Sequence, residues 1–138
     1  MTSWNGRRSI VMVGTGAYVT QDPYGPGVLA RSVASWCANQ GDPEAWEIIV
    51  ACRSDEGRTR IERTWLKMNE EIGGVPRLRI VPCEGEAFES AIDRAHALMI
   101  CVPDAAHAEY LERGIVAGVP TWIVKPMASS GAASRSIA

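Results

Sequence analysis

The sequence predicts an α/β fold: a doubly wound parallel sheet of about five strands in the order 3-2-1-4-5. Three observations predict it. Short apolar runs alternate along the chain with segments of helical period. The runs are apolar on both sides, as strands must be in a parallel sheet covered by helices on each face. Glycine, proline or a capping residue stands at most of the junctions, where one element has to give way to the next. With right-handed crossovers, the winding then reverses between the first and fourth strands.

The elements follow in order. Ser9-Ile-Val-Met-Val13 is a buried strand that runs into glycine. Pro26 to about Asn39 has apolar residues at Val28, Leu29, Val33, Trp36 and Cys37, a helical spacing that Gly41 stops. Glu47 to Cys52 is the second strand. Asp55 is a capping residue for a helix from about Glu56 to Ile72, with Ile61, Trp65, Leu66 and Met68 inward and Gly73-Gly74 at its end. Leu78-Arg-Ile-Val81 is a short third strand, and Glu86 to Ala95 a helix with Phe88, Ala91 and Ile92 inward. Ala97 to Val102 is the fourth strand, stopped by Pro103. Asp104 caps a helix from Ala105 to about Ala117, closed by Gly118. Thr121-Trp-Ile-Val124 is the fifth strand. Residues 1–128 thus form one domain, and 129–138, small and polar, are expected to be a flexible tail.

A chain of 138 residues is long enough for one domain with a real core. The net charge of -2 offers no electrostatic case for nucleic acid or an anionic membrane. Arg58, Arg60 and Arg63 are interleaved with Glu56 and Glu62, which reads as a solvated helix face. No apolar run approaches the roughly 20 residues that span a bilayer. The polar start with Arg7 and Arg8 is unlike a signal peptide, so a cytoplasmic location is expected. The four cysteines, Cys37, Cys52, Cys83 and Cys101, form no closely spaced pair, and His96 and His107 are the only histidines. That is no zinc pattern; structural thiols and no metal are expected.

In a doubly wound sheet the ligand sits beyond the carboxyl ends of the strands. After the first strand stands Gly14-Thr15-Gly16-Ala17-Tyr18, a GxG turn of the Rossmann type. The first glycine permits a tight turn, and the second lets backbone amides approach a pyrophosphate. Val19 occupies the place of a third glycine, and an expanded loop follows. After the second strand come Arg53 and Ser54, where many dinucleotide-binding domains have an acidic residue for the adenosine ribose. Arginine followed by serine suits a 2′-phosphate and so favours NADP, whereas nearby Asp55 keeps NAD open.

Two further motifs make a more specific signal. After the fourth strand stands Cys101-Val102-Pro103-Asp104-Ala-Ala-His107, and after the fifth Val124-Lys125-Pro126. Their content and separation resemble the NAD(P)-dependent oxidoreductases of the Gfo/Idh/MocA family, from about Ser9 to Met127. The resemblance implies a Rossmann domain in which residues 14–18 line the pyrophosphate and Cys101, Val102, Pro103 and Asp104 lie along the nicotinamide-side ribose. It implies that His107 braces that turn or touches the ribose. It makes Lys125 the acid/base residue facing substrate and nicotinamide, on a small carbonyl, alcohol or imine. In this sequence Val124 replaces the family's glutamate before the lysine. Family members continue with a large second α/β domain that has no counterpart here. The expectation is therefore the cofactor-binding half of an oxidoreductase, completed by a partner chain or by self-association. A second reading is an inactive Rossmann module that binds or scaffolds within an enzyme complex, and a third is a chain catalytic by itself on a substrate held loosely at the sheet edge. Tyr24, Val119, Pro120 and Trp122 are candidates for an exposed docking face, although Trp122 also fits a core position.

Overall fold

The computed structural model describes residues 6–20, 28–102 and 106–123. Five strands form one parallel sheet in the order β3-β2-β1-β4-β5: β1 Arg8–Val13, β2 Trp46–Ala51, β3 Arg77–Val81, β4 Ala97–Ile100 and β5 Thr121–Ile123. This is the expected winding. Val11 of the central strand lies opposite Ile49 on one side and Leu98 on the other.

The period of two along each strand divides the core. Ile10 and Met12 of β1, with Ile48 and Val50 of β2, face α2 (Val28–Ala38) and α3 (Asp55–Ile72). Val11 and Val13, with Ile49, Ala51, Leu98 and Ile100, face α4 (Glu86–Arg94) and α5 (His107–Ala117). Neither face of the central strands is left for water, which is why their sequences are continuous apolar runs rather than alternating ones.

Several details differ from the sequence expectation. A four-residue helix, α1 (Ala17–Thr20), follows the glycine turn directly, where an open loop was expected. The Thr20 hydroxyl lies 3.2 Å from the carbonyl oxygens of both Thr15 and Gly16, closing this turn on itself. The cap of α3 is Ser54, not Asp55: the Ser54 hydroxyl accepts a 3.0 Å bond from the Gly57 amide, and the helix starts one residue earlier. Leu66 is 68% exposed rather than inward. The buried stripe of α3 runs through Gly57, Ile61, Thr64, Trp65 and Met68, and Leu66 lies just outside it. Val119 is buried, which removes it from the expected docking face; Pro120 is exposed and Trp122 is 57% exposed. Tyr24, the proposed cap Asp104 and the tail 129–138 lie outside the described residues. Trp122, Trp36 and Trp46 line an apolar groove of about 480 Å³ between α2 and the β4–β5 half of the sheet. Among the described residues no helix is long and apolar enough to cross a membrane.

The buried thiols give a pH dependence. Burial pushes Cys37 up to about 11 and Cys101 up to about 12, from an ordinary value of 9.0. The folded state thus favours the neutral thiol. That contribution is fully present below the unfolded value and is lost as pH rises through 11 to 12. A denaturant midpoint measured from pH 8.5 upward should fall, with roughly 2–3 kcal/mol attributable to Cys37. Cys37→Ala should flatten that fall. An unchanged pH profile in the variant would remove Cys37 as its source.

Candidate functional site

Three turns converge at the carboxyl edge of the sheet. The turn after β1 is tied to its neighbours through backbone: the Gly14 amide donates to the Ala51 carbonyl at 2.9 Å, and the Cys101 amide donates to the Val13 carbonyl at 2.8 Å. The Cys52 amide in turn donates to the Val81 carbonyl at 3.1 Å, so the ladder continues one residue beyond the strands.

Two glycines set how closely the turns approach. Gly14 has φ of 110°, and a Cβ there would lie less than 3.0 Å from the Cys101 carbonyl oxygen. Gly57, in the first turn of α3, would drive a Cβ into the Thr15 hydroxyl and to 3.2 Å from the Ser54 hydroxyl. The glycine turn therefore touches the β4 turn through Gly14 and the β2 turn through Gly57. Thr64 of α3 adds a third tie, its hydroxyl lying 3.4 Å from the Thr20 carbonyl oxygen.

Gly16 differs from both. Its φ lies outside the left-handed range, and among the described residues nothing stands within 4 Å of a Cβ built on it. Its carbonyl accepts from the Val19 and Thr20 amides, so Gly16 is the N-cap of α1, a position that suits glycine better than alanine or valine. It is exposed, immediately before the amides that open α1 at Ala17 and Tyr18. With no side chain at Gly16, the backbone there can approach a diphosphate closely, and to that extent the residues present fit a dinucleotide.

The other expected site residues are distributed as follows. Arg53 and Ser54 form the turn after β2, with Ser54 engaged as the helix cap. Cys101 and Val102 follow β4, against Gly14. His107 opens α5 with its ring wholly buried (0% exposed). Its Nε2 lies 2.7 Å from the Val102 carbonyl oxygen, so Nε2 carries the proton and donates it. His107 thereby braces the β4 turn from beneath. Pro103, Asp104 and Lys125 lie outside the described residues. Among the described residues no group of three or more His, Cys, Asp and Glu side chains could hold a metal.

Sequence reasoning missed two residues. Gly57 was hidden in a helix that shows no other sign of close approach. Tyr110 has no role in the sequence reading, yet its hydroxyl accepts a 3.2 Å bond from Arg53 Nη2. Arg53 and Tyr110 line a polar cavity of about 420 Å³ with Cys52, Pro82, Cys83, Glu84 and Glu109. Burial pushes the Cys83 thiol and the Tyr110 phenol up, and the Arg53 guanidinium beside them pulls both partly back.

No protein-family model matches the chain, and no curated protein matches it. Solved structures do. A levoglucosan dehydrogenase in complex with NADH superposes with a TM-score of 0.61 at 17% identity, over 95% of this chain and 31% of that one. An NAD binding oxidoreductase from Klebsiella pneumoniae gives 0.57 at 14%, over 95% of this chain and 30% of that one. A shikimate 5-dehydrogenase from Mycobacterium fortuitum gives 0.53 at 14%, over 84% and 44%. This chain thus has the fold found in a part of each of these oxidoreductases, and it spans less than half the length of each.

Proposed function

We propose that the chain, with residues 1–128 as its folded unit, is the cofactor-binding part of an NAD(P)-dependent oxidoreductase of the Gfo/Idh/MocA type. The observation that carries this reading is the glycine turn after β1, which lies at the carboxyl edge of the sheet, Gly14 against the β4 turn and Thr15 against the start of α3. The similar folds of NADH-bound levoglucosan dehydrogenase and of an NAD binding oxidoreductase support it.

In this reading the amides of residues 14–18 hold the diphosphate, with its charge facing backbone donors. Arg53 and Ser54 receive the 2′-phosphate of NADP, which is preferred over NAD; Ser54 keeps its hydroxyl proton for this while its oxygen accepts from Gly57. Cys101, Val102, Pro103 and Asp104 lie along the nicotinamide-side ribose, with His107 holding their turn in place. The nicotinamide supplies hydride transfer. Lys125 exchanges a proton with the oxygen or nitrogen of a small carbonyl, alcohol or imine substrate. A partner chain or self-association that completes the substrate side of the cleft belongs to the same proposal.

Titration followed by tryptophan fluorescence tests this. NADPH should bind saturably and NADH more weakly. Gly16→Val should weaken NADPH at least about tenfold, because the branched side chain fills the diphosphate's place, while the loss of a favourable cap residue lowers the melting temperature by no more than about 5 °C. A wild-type chain that ignores both nucleotides, or a Gly16→Val variant that binds as well as wild type, would sink the reading. Lys125→Ala should abolish turnover in the completed enzyme with cofactor affinity within about twofold of wild type. Turnover that survives in the variant would remove Lys125 from the chemistry.

A further inference from the structure

We infer that Tyr110 is a positioning residue for the 2′-phosphate of the nucleotide, acting by holding the Arg53 guanidinium from the side opposite the ligand. The inference rests on the cofactor reading above and deepens it.

Arg53 is the first residue of the β2 turn to face solvent, and its side chain is exposed. A free arginine in that position samples many rotamers and gives them up when it grips a phosphate, which weakens binding. Here the guanidinium is already held. Tyr110 belongs to a different element, 57 residues away in sequence, and is itself fixed: it is 1% exposed in the second core cluster and meets Phe88 edge-on with centroids 5.9 Å apart. Tyr110 and Arg53 line the same cavity, and the Tyr110 hydroxyl is the atom that meets the guanidinium. A rigid ring carrying one acceptor is suited to aim a flexible cation.

The guanidinium has several N–H donors, so one bond to Tyr110 leaves others to form a fork on a phosphate. The electrostatics of the cavity make the aim matter. Glu84 and Glu109 line the same cavity. Glu109 lies 3.8 Å from Arg113, and the Cys83 thiol stands beside Arg53. Without the Tyr110 bond the arginine is free to turn towards Glu84 or Glu109, where its charge would be spent within the protein. With the bond it stays at the β2 turn beside Ser54.

Tyr110→Phe isolates the hydroxyl, since the ring and its contact with Phe88 remain. The probes are 2′,5′-ADP and 5′-AMP, measured by calorimetry on the full chain, and the readout is the ratio of their affinities. In the wild type 2′,5′-ADP should bind at least about tenfold tighter than 5′-AMP. Tyr110→Phe should cut that ratio about fivefold and leave 5′-AMP within about twofold of wild type. Arg53→Gln should bring the ratio close to one, and adding Tyr110→Phe to it should change nothing further. A wild-type ratio near one, untouched by Arg53→Gln, overturns the phosphate assignment and Tyr110's role with it. A high ratio that Arg53→Gln abolishes and Tyr110→Phe leaves intact overturns Tyr110 alone. Equal loss of both probes in Tyr110→Phe also overturns it, because a merely structural role would weaken both.

Discussion

Gly14→Ala is expected to cost the chain about 3–6 kcal/mol, a large share of the roughly 5–15 kcal/mol that keeps a domain folded. Two independent penalties add. The backbone at this position has φ of 110°, which an L side chain rarely adopts. The new Cβ would also lie less than 3.0 Å from the Cys101 carbonyl oxygen. That atom is backbone, and backbone at this point is not free to yield: the Cys101 amide is bonded to the Val13 carbonyl next door, and the Gly14 amide to Ala51. Relief would require opening the β1–β4 pairing at its carboxyl end. Far-ultraviolet circular dichroism with guanidinium titration measures the effect. A Gly14→Ala variant that melts within a few degrees of wild type would mean that the two turns are not in contact. Gly16→Ala is the control two residues away. It meets ordinary φ and, among the described residues, no atom within 4 Å, and should cost no more than about 1 kcal/mol as the cap of α1. The same substitution in one motif therefore separates the glycine that close packing requires from the one that it does not.

How much was legible beforehand follows from the range of each interaction. The sheet order was legible because it depends on local signals repeated five times: an apolar run, a glycine or capping residue, a helical period. Strand ends moved by one or two residues at most, as for Trp46–Ala51 against the expected Glu47 to Cys52. The short α1 was not legible, since four residues carry no period and its closure comes from the Thr20 hydroxyl. Ser54 and Asp55 are both capping residues side by side, and only the bond from the Gly57 amide decides between them. The glycine turn was visible as a motif, but its two glycines looked alike. The φ of 110° at Gly14 and the position of the Cys101 carbonyl distinguish them. The Arg53–Tyr110 pair was beyond reach for a different reason: Tyr110 satisfies the helical pattern of α5 as a core residue, and nothing local marks its hydroxyl as having a partner on β2's turn.

Gly57→Ala carries the second large effect, and its sign is diagnostic. In an exposed helix this substitution stabilises by up to about 1 kcal/mol, because alanine loses less backbone entropy than glycine. At Gly57 it is expected to destabilise by about 1–3 kcal/mol, since the Cβ would strike the Thr15 hydroxyl and crowd the Ser54 hydroxyl at 3.2 Å. Thr15 is buried, and its carbonyl lies 3.2 Å from the Thr20 hydroxyl, so retreat of Thr15 would disturb α1 as well. Removing the Thr15 hydroxyl should lift most of the penalty: the next nearest Thr15 atom, Cβ, would stand at an ordinary 3.5 Å. In a Thr15→Ala background, Gly57→Ala should therefore become neutral or mildly stabilising. The double-mutant cycle would then show a favourable coupling of about 1–3 kcal/mol between two residues on different turns. Additive effects would mean that the glycine turn and the start of α3 do not touch. The same contact links stability to function. It sets the spacing between the turn that would hold a diphosphate and the turn that would hold the ribose phosphate. Gly57→Ala should thus weaken NADPH binding in step with its destabilisation, and Thr15→Ala should restore both together, whereas Gly16→Val acts mainly on binding.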